Sequence, residues 1–198
     1  VGVDASYHLI LLKNAGCICI SDDGRPVENA EMMRKALELS KENGLLVASH
    51  CEDLSIIDGG IMNKGEISEK LGVKGMDRAS EDYITAREMI LAHSVDARIH
   101  ICHVSTKGST EMIRFAKSHG AKVTCETAPH YFMFTDKLLE KRDADYRMNP
   151  PLRTDEDLKA TINAQSAIVA TSIAALEAFK SLCPDVKPSV TMGHSLGE

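Results

Sequence analysis

Four short apolar runs, each closed by polar residues and separated from the next by a longer stretch, set the pattern of this chain. Gly16 to Ser21 is the first, a β-prone run ending in the turn-rich Asp22, Asp23 and Gly24. The period then changes. From Asn29 to Asn43, residues Met32, Met33, Ala36, Leu37 and Ser40 fall on one helical stripe, with Asn29 placed as N-cap and Gly44 as the residue just past the end. Leu45 to Ser49 reads as a second buried strand running into His50, Cys51, Glu52 and Asp53. Leu54 to about Arg78 carries Gly59, Gly60, Gly65, Gly72 and Gly75 with weak periodicity, which predicts a long excursion above the strand ends. Ser80 is expected to cap a second helix with Glu81 and Asp82 in its first turn, and Ile84, Ala86, Ile90 and Leu91 supply its apolar residues. Ala97 to Cys102 reads as a third strand, ending at His103, Ser105 and Thr106. Ser109 is expected to cap a third helix ending at Gly120. Lys122 to Glu126 reads as a fourth strand, followed by an irregular segment through Pro129, His130, Pro150 and Pro151.

Strands alternating with helices long enough for crossovers predict parallel βα units, hence an α/β fold. A barrel and an open sheet both satisfy that pattern. Asp23, His50, His103 and Glu126 with His130 all fall at the C-terminal ends of successive strands, the rim on which TIM barrels build active sites. A complete barrel needs about 250 residues, and only four units fit before the pattern changes near residue 160. The expectation is therefore a partial TIM-type βα barrel over 1–160, incomplete at both ends, with a short helix-strand tail over 161–198.

Composition narrows the classes. With 198 residues, a formal charge of -6, 43% hydrophobic and 26% charged residues, the chain has the balance of a globular protein. No apolar run approaches the roughly 18–20 residues of a membrane helix, and the first residues lack the pattern of a secretory signal. Acidic and basic residues are interspersed, which argues against a nucleic-acid partner. Six cysteines, Cys17, Cys19, Cys51, Cys102, Cys125 and Cys183, include no CxxC pair. Four sit in strand-like runs, so reduced thiols and a cytoplasmic location are expected.

Asp23, His50 and His103 supply carboxylate and imidazole donors that suit zinc, with an open fourth position for chemistry. Spacing leaves open the alternative that each merely ends a strand or faces water. Among the other histidines, His93 and His119 fall in last helical turns, where a cation suits the dipole, and His100 alternates with Ile99 and Ile101 in a strand.

Five motifs then carry a resemblance: SDDGRPV at Ser21 to Val27, HCED at His50 to Asp53, IMNKGEIS at Ile61 to Ser68, HICHVST at His100 to Thr106, and MNPPLRTDED at Met148 to Asp157. In this order and spacing the chain resembles the inner part of a bacterial type I dihydroorotase over about residues 10–160. The related hydantoinases use a carboxylated lysine where this type has the aspartate of SDDG. The resemblance implies a zinc-dependent hydrolase of cyclic amides in pyrimidine biosynthesis, interconverting dihydroorotate and N-carbamoyl-L-aspartate. It makes Asp23 a carboxylate bridging two zinc ions, His50 and His103 ligands of the second zinc, and Asn149 a hydrogen-bond partner of the dihydroorotate ring. As the residue before two prolines, Asn149 equally suits plain turn chemistry.

Departures qualify that expectation. The chain contains no His-x-His, from which the family draws ligands of its first zinc, and lacks the acidic residue of the family's terminal motif. At most one zinc and impaired hydrolysis are expected. From about Thr161 the sequence instead resembles malonyl-CoA:acyl-carrier-protein transacylase. GHSLG at Gly193 to Gly197 fits the nucleophile elbow, which would make Ser195 an acyl-accepting nucleophile, although His194 is poorly placed as its base. The two resemblances predict a chimera joined near residues 157–163, whose alternative functions are acyl transfer through Ser195 or none. Uncovered strand edges predict self-association.

Overall fold

The computed structural model describes residues 5–160 and 180–181. Four parallel strands form the main sheet: β1 (Cys19–Ser21), β2 (Leu46–Ser49), β5 (Ile99–Ile101) and β6 (Val123–Cys125), in the order β1-β2-β5-β6. Between β2 and β5 a second, two-stranded parallel sheet is made by β3 (Met62–Asn63) and β4 (Gly75–Met76). The helices are α1 (Ala5–Asn14), α2 (Ala30–Glu42), α3 (Leu54–Ile57), α4 (Glu66–Leu71), α5 (Ala79–Ser94), α6 (Lys107–Ser118) and α7 (His130–Met133).

Strand register explains which side is buried. Ile20, Val47, Ile99 and Val123 lie in one row across the sheet and pack with Met33, Leu37, Ile84, Met89 and Ile113 of α2, α5 and α6 as the main core. The next row, Ser21, Ala48, His100 and Thr124, falls on the opposite face by strand alternation and none of it is fully buried. That face corresponds to the inside of a barrel.

The cap of α2 follows the sequence closely, with the Asn29 side chain accepting from the Met32 backbone N–H and Gly44 adopting a left-handed φ of 65° past the helix end. Met33, Leu37 and Ser40 are buried, whereas Met32 is 62% exposed, one position off the core stripe. The caps of the next two helices differ from expectation. Ser80 lies inside α5, where its hydroxyl accepts from the Asp53 N–H and donates to the Asp53 carbonyl, tying the loop after β2 to the helix. Thr106, not Ser109, caps α6, its side chain accepting from the Ser109 N–H. Ile90 of α5 is exposed rather than core.

The excursion over 54–78 is ordered by close backbone approach. A Cβ on Gly60 would lie 2.5 Å from the Gly75 carbonyl carbon, and one on Gly75 would lie 2.4 Å from Lys64 Cα. Glycine is what lets β3 and β4 come together, and Asp53 caps α3 through the N–H groups of Ser55 and Ile56. Neither a close approach between distant backbone segments nor a cap leaves a hydrophobic period, so periodicity misses both. Residues 161–179 and 182–198, including Ser195 and the expected tail, lie outside the described residues.

Candidate metal centre

Asp23, His50 and His103 come from the ends of three neighbouring strands and meet. His50 Nδ1 lies 2.8 Å from His103 Nε2, His103 Nε2 lies 3.4 Å from Asp23 Oδ1, and His50 Nδ1 lies 3.6 Å from the same oxygen. Donors bound to one tetrahedral zinc at about 2.0–2.1 Å sit roughly 3.3–3.4 Å apart. The triangle therefore fits a single ion with shifts of a few tenths of an ångström.

His50 is held by two residues with separate tasks. Asp22 bridges the first two strand ends, its Oδ1 accepting from the His50 N–H at 2.7 Å and its Oδ2 from the Val27 N–H at 3.1 Å. Glu52 faces His50 Nε2 at 3.3 Å, so Nδ1 is left for a metal, the usual carboxylate–imidazole arrangement behind a ligand. Burial disfavours charge on His50, but Glu52, then Asp23 and Asp22, outweigh it and raise its pKa above the ordinary imidazole value. Hydrogen bonds from His50 and Asn149 hold the Glu52 carboxyl below its usual range against the desolvation of its site. His103 has a left-handed φ of 34°, a conformation costly for a non-glycine residue and concentrated at functional positions. Asp23 is the open side of the centre, with 66% of its side chain exposed.

Asn149 precedes a cis peptide to Pro150 and is anchored at the site through Glu52. Beside them a cleft of about 280 Å³ is lined by Glu52, Ile57, Ile61, Met76, Arg147 and Asn149, with Gly60 and Met148. Among the described residues, Arg147 is its one basic side chain. Glu126 does not join Asp23: it pairs with His100 at 3.5 Å and accepts from the His103 backbone N–H. His130, whose pKa is lowered by burial and then by His103, stacks edge-on to Tyr131.

Sequence reading missed a buried polar network that supports the loop after residue 148. The Arg153 guanidinium donates to Ser105 Oγ (2.9 Å), Asn63 Oδ1 (3.2 Å) and Glu81 Oε2 (3.2 Å). Glu81 also accepts from the N–H groups of Ser105 and Thr106 at 2.9 and 3.1 Å and from both their hydroxyls. Asn63 donates to Asp136 at 2.9 Å, and Tyr131 OH donates to the Pro150 carbonyl at 2.6 Å. Three of the sequence motifs thus meet at Asn63, Ser105 and Arg153. A buried Glu or Arg is rare unless paired, but nothing in the one-dimensional pattern marks Glu81 or Arg153 as buried.

Comparison with known proteins decides the family. The model of the family described as Dihydro-orotase-like matches residues 4–109. The chain belongs to the dihydroorotase-like family. A dihydroorotase of Geobacter metallireducens is 54% identical over 153 residues, covering 77% of this chain and 36% of that protein. One of Geobacter sulfurreducens is 53% identical over 161 residues, covering 81% and 38%. The chain thus spans little more than a third of the curated relatives it matches. Among solved structures, a D-hydantoinase aligns with a TM-score of 0.67 at 28% identity over 80% of this chain and 37% of its own. A dihydropyrimidinase of Brevibacillus agri gives 0.64 at 25% identity, covering 80% and 37%. The parallel sheet is accordingly part of a hydantoinase-type TIM barrel, as the rim of strand-end residues led one to expect. Among the described residues no helix is long and apolar enough to cross a membrane, and Cys17, Cys19, Cys51, Cys102 and Cys125 are all free thiols.

Proposed function

We propose that this chain carries one metal half-site of a zinc-dependent dihydroorotase, with Asp23, His50 and His103 as ligands and Asn149 as a contact to the cyclic amide. The donor triangle of 2.8, 3.4 and 3.6 Å carries this reading, supported by the homologous dihydroorotases. The substrate is dihydroorotate, or N-carbamoyl-L-aspartate in the reverse direction, and the expected location is cytoplasmic.

Asp23, His50 and His103 would hold a zinc ion, which when bound would supply a lowered water pKa and polarisation of the substrate carbonyl. Glu52 fixes the His50 ring and at the same time orients the Asn149 amide, so metal ligand and substrate contact share one anchor. Arg147 gives the neighbouring cleft a positive charge suited to a substrate carboxylate.

Elemental analysis after purification without chelator tests the reading. A zinc content lower by one ion per chain in the His50→Ala/His103→Ala variant supports it; equal zinc in both refutes the ligand assignment. Dihydroorotate binding weakened about tenfold in Asn149→Ala, at unchanged zinc content, supports the substrate contact, and unchanged binding removes it.

A further inference from the structure

The inner face of the sheet holds a second set of metal donors, separate from Asp23, His50 and His103. His100 comes from β5, Cys102 follows it by two residues, and Glu126 directly follows β6. One donor atom from each of the three lies within 4.8 Å of the other two. Strand alternation places His100 and Cys102 on the same face, and the pairing of His100 with Thr124 brings the Glu126 carboxylate alongside.

We propose that His100, Cys102 and Glu126 form a second divalent-metal site on this face, with zinc the ion that their chemistry suits. Imidazole nitrogen, thiolate sulfur and carboxylate oxygen are the three donor types that zinc accepts, whereas magnesium and calcium select oxygen alone. On a tetrahedral zinc such donors sit roughly 3.3–3.8 Å apart. His100 Nε2 and Glu126 Oε2 are already at 3.5 Å, leaving the thiol no more than about 1 Å to close.

The surroundings suit a cation. His100 Nδ1 lies 2.8 Å from Thr124 Oγ1; with Nδ1–H donating to that oxygen, Nε2 presents its lone pair towards Glu126, and a metal fits between the two. This is the partner-behind-the-ligand arrangement that sets a histidine's tautomer. Burial, and after it the carboxylates of Glu126, Asp23 and Asp22, hold the Cys102 thiol in its protonated form, so a metal taken up there displaces that proton. Glu126 also accepts from the His103 backbone N–H, which couples the ends of β5 and β6 at both centres. His100, which the alternation with Ile99 and Ile101 marks only as a strand residue, becomes a ligand, and the chain's capacity rises from one ion to two.

Cobalt(II) is the probe, because a thiolate ligand gives it an intense near-ultraviolet charge-transfer band that nitrogen and oxygen ligands lack. Metal-free full chain is titrated under reducing conditions. Two cobalt ions per chain and a thiolate band are expected. The band disappears in Cys102→Ser and persists in His50→Ala, where one ion is lost from the other centre. No band in the wild-type chain, or a band unchanged in Cys102→Ser, overturns the proposal; loss of an ion in His50→Ala bears only on the first centre. Glu126→Gln guards against misfolding, since 56% of that side chain is exposed. An affinity at least tenfold weaker for the ion that gives the band is expected there, and an unchanged affinity overturns the proposal.

Discussion

Replacing Arg153 by Met isolates the network that carries the loop of residues 149–153. Arg153 is 5% exposed and Glu81 4%, so the pair lies where water cannot compensate a missing partner. Removing one member of such a pair costs about 3–5 kcal/mol, because the remaining charge stays buried. Glu81 keeps its four contacts from Ser105 and Thr106, which favours the lower end. Asn63 Oδ1 loses its donor, at about 1 kcal/mol or more. The expected loss is about 4 kcal/mol, seen as a lower urea midpoint at unchanged slope and a Tm lower by roughly 10 °C. In a Glu81→Gln background no anion remains to be orphaned, so the same substitution is expected to cost only about 1–2 kcal/mol. Urea melts of the wild type, both single variants and the double variant measure the coupling. A cost below about 1 kcal/mol, or equal costs in the two backgrounds, would refute the claim that Glu81 depends on Arg153 for its charge.

Two further perturbations follow from other parts of the fold. Burial pushes the Glu88 carboxyl up to about 7, although Arg87 beside it pulls the other way, and one of its oxygens has no hydrogen-bond partner among the described residues. Its folded-state pKa lies above the unfolded value, so the stabilisation from protonation is full below about pH 4.5 and is lost as pH rises through about 7. Stability of Glu88→Gln relative to wild type should therefore improve by roughly 2–3 kcal/mol between pH 5 and pH 8, and parallel stability–pH curves would contradict this. Gly60→Ala should cost about 2 kcal/mol or more by forcing β3 and β4 apart, measured by urea melts, and a neutral result would mean that the small sheet yields freely.

The division between sequence and tertiary structure follows from the range of each interaction. The order of the four main strands and of α2, α5 and α6, the α2 caps and the placement of Asp23, His50 and His103 at strand ends were legible in the chain, because they rest on periodicity and on turn chemistry within a few residues; α1, the small sheet and the short helices were not. The family resemblance rests on motifs, each a contiguous segment. Only folding decided that Ser80 ties a loop rather than caps a helix, and that Thr106 takes the cap expected of Ser109. Ser80 does so because its partner, Asp53, lies 27 positions away. The same holds for the pairing of Glu81 with Arg153, 72 positions apart, and for Glu52, which serves His50 and Asn149 together. Strand register set His100, Cys102 and Glu126 side by side, since a one-residue slip would send the strand's side chains to opposite faces. Residues within one turn or strand declare their roles by spacing; those joined across the sheet declare them only when the chain has closed.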